Sequence, residues 1–74
     1  MDNMQVKGVI VFEDLEGGFW GLVASDGSRF EIENDLPAKA AIPGIAVEAE
    51  VEPTGGVSFR QWGTPVKVLR VSPV

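Results

Sequence analysis

Short runs of Val, Ile and Phe, broken at intervals of about ten residues by Gly, Pro, Asp and Ser, constrain this chain more than any other feature. That rhythm predicts antiparallel strands closing into a small barrel or sandwich. The first strand runs from about Gln5 to Leu15 and is apolar on both faces near Val9-Ile10-Val11-Phe12, as in a central strand that curls and is covered twice; Gly8 allows the bend. Glu16-Gly17-Gly18 ends it, Phe19 to Ala24 forms the second strand, and Arg29 to Glu33 the third.

The segment Asn34 to Gly44 breaks the pattern: Ala38-Lys39-Ala40-Ala41 favours one helical turn, and Pro43-Gly44 stops it. Ile45 to Glu52 then alternates without error, Ile45, Val47, Ala49 and Val51 on one face and Ala46, Glu48, Glu50 and Glu52 on the other. Keeping Val57 and Phe59 on the inner face requires an odd-numbered loop. A Pro53-Thr54-Gly55 turn would pair Val51 with Val57, Ala49 with Phe59 and Glu48 with Arg60. Gly63-Thr64-Pro65 interrupts pairing before a last strand, Val66 to Val71.

The expectation is a single all-β domain spanning 1–74: a small antiparallel barrel of five or six strands with a short helical turn in the connector after the third. This order matches an OB-type barrel, with SH3-like and other small barrels as competitors. A chain of 74 residues buries a thin core, about 60% of the surface its unfolded form exposes. With no cysteine and no histidine, disulfides, thiolate metal sites and the usual neutral-pH proton shuttle are all absent.

A tight turn at Asp26-Gly27 would pair Val23 with Phe30, Gly21 with Ile32 and Trp20 with Glu33. Trp20 and Leu22 then face outward beside Arg29 and Glu31. In OB-type domains the face of the second and third strands is the customary ligand surface, so Trp20 becomes a stacking platform with Leu22 and Arg29 around it. The competing reading makes Trp20 a plug for an open barrel end, or packing under Met1 to Met4, because an indole adds much apolar area to a thin core. Trp62 lies two residues after Arg60, so both point outward on this register, and the bend at Gly63-Thr64-Pro65 tucks the second indole against the barrel mouth. Trp20, Leu22, Arg29, Arg60 and Trp62 are therefore the candidate ligand- or partner-binding residues.

The stretch Asp14-Leu15-Glu16-Gly17-Gly18-Phe19-Trp20-Gly21-Leu22-Val23, with Asp26-Gly27, Leu36-Pro37 and Trp62-Gly63-Thr64-Pro65, resembles a family of small prokaryotic proteins of uncharacterised function. The resemblance covers most of the chain and implies a small β-barrel. It supplies no activity or ligand, and no functional residue carries over from it.

Catalysis has little to build on. The serines and threonines have no histidine to activate them, Gly17-Gly18 and Gly55-Gly56 match no phosphate-binding loop, and a cleft for two-carboxylate chemistry is hard to fit in a domain this small. No metal or other cofactor is expected, since Glu48, Glu50 and Glu52, spaced by two along a strand, diverge by about 7 Å and read as a solvated face. The net charge of -5, eleven acids against six bases, disfavours nucleic acid. No segment suits a membrane, and Asp2, Asn3, Gln5 and Lys7 break up any leader-type run, so the default location is the cytoplasm. The leading expectation is a non-catalytic binding or protein-interaction module, whose partner is another protein or a second copy. Its alternative is single-stranded nucleic acid or oligosaccharide bound through the Trp20 face.

Overall fold

A computed structural model describes residues 3–15, 17–56 and 61–74. Five strands, β1 (Met4–Glu13), β2 (Phe19–Ala24), β3 (Arg29–Ile32), β4 (Ala46–Pro53) and β5 (Thr64–Pro73), close in the order β1-β2-β3-β5-β4. This is the strand order of an OB-type barrel. Four of the five pairings are antiparallel, but β3 and β5 run parallel over Phe30↔Thr64 to Ile32↔Val66, so the sheet is not wholly antiparallel as expected.

β1 holds the barrel together by pairing along its first half with β4 and along its second half with β2. The two ladders overlap at Gly8 and Val9, with Gly8 facing both Ala24 and Val47. A Cβ at Gly8 would collide with the Val23 carbonyl, which is why the bend falls on a residue without a side chain. The core is built from the inward sides of all five strands, among them Ile10, Leu22, Phe30, Val47, Val51 and Val66. Ala40, in the connector between β3 and β4, is also fully buried in the core.

The connector between β3 and β4 holds a turn at 38–40 and no helix. The Pro37 carbonyl accepts from the Ala40 and Ala41 N–H groups at 2.9 and 3.0 Å, and the chain then bends at Pro43-Gly44 before helical bonding can propagate. At the connector's start the Asn34 side chain takes the place of a strand. Its Nδ2 donates to the Val68 carbonyl at 2.8 Å and its Oδ1 accepts from the Val68 N–H at 2.9 Å.

The hairpin joining β2 and β3 has a three-residue loop, Ser25-Asp26-Gly27, where two had been expected. Ala24 N–H donates to Ser28 O at 2.8 Å, Gly27 N–H donates to Ala24 O at 2.9 Å, and Gly27 takes a φ of 91°. This is a turn closed by a left-handed glycine, a geometry that Asp26 supports by accepting the Ser28 N–H at 2.9 Å. The observed pairs are Leu22↔Phe30 and Gly21↔Glu31 in place of Val23↔Phe30 and Gly21↔Ile32. One residue of slip moves every side chain to the other face.

The partners of β4 also differ from the expected one. Residues 57–60, including Arg60, lie outside the described residues, and both edges of β4 are taken: Val51 pairs with Met4 and Val68, and Ala49 with Val6 and Val71. Cations of the neighbouring strands stand opposite the glutamate row instead: Lys7 faces Glu48, Lys67 faces Glu52, and Arg70 faces Glu50, with its Nε 3.8 Å from Glu50 Oε1.

Candidate aromatic site on the outer face of β2 and β3

The corrected phase redistributes the candidate residues. Leu22, expected outside, is fully buried in the core at 0% exposure. Trp20 lies on the same inward side, half-buried against the core, with its ring edge-to-face on Phe12 at 5.1 Å and 69°. It packs on the core side of β2 and is not an outward platform. Phe12 itself is 47% exposed, so this end of the barrel keeps an aromatic edge in water.

The outward side of β2 and β3 carries Phe19, Gly21, Val23, Arg29 and Glu31, and Trp62 lies across it. A Cβ on Gly21 would come within 2.6 Å of Trp62 Cη2 and 3.2 Å of Val11 Cγ2. The strand therefore supplies a flat floor for the indole at the one position lacking a side chain. Phe19 meets the indole edge-to-face at 5.4 Å and 72°. The Arg29 guanidinium carbon stands 5.0 Å from the ring centroid, within reach of a cation–π interaction.

The backbone that delivers Trp62 is fastened separately from its ring. Glu31, 2% exposed, places Oε2 3.1 Å from the N–H groups of both Trp62 and Gly63, and accepts from each. Just before them Gln61 adopts a φ of 51°, an uncommon left-handed conformation that turns the chain onto the sheet. A buried carboxylate needs such donors, because removing it from water without hydrogen bonds is strongly unfavourable. Glu31, expected as a solvated outward acid, is instead the anchor of the β4–β5 loop.

Of the candidate residues, the structure brings Arg29 and Trp62 together. It places Trp20 and Leu22 on the opposite side of β2, so the two tryptophans do not form one platform. Glu31, Gly21 and Phe19 were not singled out from the sequence. Gly21, alone amid Phe19, Trp20, Leu22 and Val23, carried a usable signal, since glycine inside a strand marks a close approach.

Open grooves lie on the surface beside β2 and β3. One of about 450 Å³ lies between Phe19-Trp20 and the segment Glu31 to Asp35. Another, about 590 Å³, runs between the first half of β1 and the β2–β3 turn, over Met4, Val6 and Phe30 with Lys7 and Asp26 at its rim. Among the described residues no three Asp or Glu side chains gather as a metal-binding group, and no helix is long and apolar enough to cross a membrane. Comparison of the chain with protein families, with curated proteins and with solved structures gave no match.

Proposed function

We propose that this protein is a non-catalytic binding module that engages a protein partner, or a second copy of itself, through the outer face of β2 and β3. The observation that carries the reading is the Arg29–Trp62 pair: an exposed guanidinium stacked on a half-buried indole, on the face that barrels of this strand order use for ligands. Aromatic and arginine side chains are enriched at the centres of protein interfaces, since each offers a large flat surface with a polar end. The setting we assign is the cytoplasm.

A second reading, single-stranded nucleic acid or oligosaccharide, draws on the same stack, because bases and sugar rings also lie on aromatic faces. The net charge of -5 ranks it below the first. The test is a chemical-shift titration with peptides, oligosaccharides and single-stranded oligonucleotides, repeated on Arg29→Glu. Shifts at Gly21, Arg29 and Trp62 with peptides or with rising protein concentration, lost in Arg29→Glu, are expected. A strictly monomeric protein with no shift at these residues for any ligand class overturns the proposal.

A further inference from the structure

We infer that the outer face of β2 and β3 is a slot for one planar aromatic side chain, filled in the resting protein by Trp62, and that a partner protein docks by inserting an aromatic residue of its own. The inference rests on the binding-module reading above and specifies how that face is opened.

The slot has the parts that a ring-binding site needs. Its floor is the bare backbone of Gly21, so close to the indole that a single methyl group would overlap Trp62 Cη2. Phe19 supplies an edge-to-face wall, and Arg29 a cation over the ring. None of these contacts is specific to a tryptophan that belongs to this chain: any aromatic side chain of similar size satisfies them.

The occupant is held in two places of unequal strength. Its main chain is fixed by the Glu31 carboxylate through two charge-assisted hydrogen bonds, whereas its half-buried ring is held by packing and the Arg29 stack. Rotation about two side-chain torsions lifts the indole without breaking either backbone bond. Competition by Trp62 then lowers the affinity for an incoming ring by the fraction of molecules whose slot is open. A protein partner suits the slot better than a nucleobase, because the exposed Glu33 and Asp35 line the adjoining groove and a phosphodiester would meet an acidic surface.

The experiment uses N-acetyltryptophanamide as the probe against the full chain and against Trp62→Ala. The folded variant is expected to bind the probe roughly tenfold more tightly than the unsubstituted chain, with shifts at Phe19, Gly21 and Arg29. Equal affinity for the two proteins, or no binding to the folded variant, overturns the slot. Tighter binding of adenosine monophosphate than of the capped tryptophan overturns the protein-partner assignment.

A measurement on a chain that keeps its indole covers the case in which Trp62→Ala does not fold. In a Trp20→Phe background, acrylamide is expected to quench Trp62 while the N–H groups of Trp62 and Gly63 stay protected from hydrogen exchange. Ring and amides becoming accessible together would reject ring rotation. Loss of probe binding with peptide shifts at Arg29 retained rejects the slot alone; loss of both rejects the binding module as well.

Discussion

Gly21 and Glu31 face one another across the β2–β3 ladder, and both serve the same indole: the glycine leaves room for the Trp62 ring and the glutamate holds the Trp62 backbone. A cross-strand pair of a residue with no side chain and a buried carboxylate has little to offer a sheet by itself. Its logic lies in the loop that crosses it.

Gly21→Ala is expected to destabilise the fold by about 1–3 kcal/mol, the usual range for overpacking a close contact, although alanine suits a strand better than glycine. Urea unfolding gives the magnitude. A red-shifted, more quenchable Trp62 emission in the folded variant identifies the displaced ring as the cause.

Glu31→Ala removes the shared acceptor of two backbone donors and is expected to lose roughly 1.5–3 kcal/mol, the range for hydrogen bonds to a charged group. Glu31→Gln keeps one carbonyl oxygen and should lose less. Hydrogen exchange at Trp62 and Gly63 should quicken in the order unsubstituted, Gln, Ala.

Leu22→Ala decides the strand phase in solution. With the side chain at 0% exposure, a loss of about 2–5 kcal/mol is expected. A solvent-facing Leu22 would change stability by no more than about 0.5 kcal/mol. Denaturant midpoints at constant slope distinguish the two outcomes.

Asp26 carries a pH dependence. The Ser28 backbone N–H, then the Ser28 hydroxyl, favour the ionised carboxylate and hold its pKa below the ordinary 3.8. Because the folded value lies below the unfolded one, this stabilisation is complete above 3.8 and is lost as the pH falls through the lowered folded value. Asp26→Asn should remove this component, so that its stability declines less than that of the unsubstituted chain across the acid range. Parallel urea titrations at stepped pH measure the difference.

The positions of the strands were legible because their signal is alternation, and β4 shows it without interruption. Their phase was not. It depends on whether the chain spends two or three residues turning at Ser25-Asp26-Gly27, and both choices are compatible with an Asp-Gly pair. That single residue decided that Leu22 went inside and that Trp20 packed on the core side of β2. The bend at Gly63-Thr64-Pro65 pointed to the barrel mouth as the seat of Trp62, whereas the indole lies on the outer face of β2 over Gly21, and Thr64 and Pro65 pair with β3. That seat was not legible, since Gly21 and Trp62 are far apart in the chain. Glu31 was hidden for a more general reason: the donors that make its burial tolerable are the main-chain N–H groups of Trp62 and Gly63, which no residue type announces.

The carboxamide of Asn34 offers Val68 the donor and acceptor of a peptide unit. At the connector's far end Gly44 N–H donates to Ile10 O at 2.7 Å, and Ile10 N–H donates to Ile45 O at 2.9 Å. The connector is thus moored to the barrel at both roots, by bonds that do not involve the residues between them. Insertions among its exposed residues, away from the buried Ala40, can lengthen the excursion while closure of the sheet is left intact, which makes this crossing the natural place for a barrel of this kind to acquire new surface.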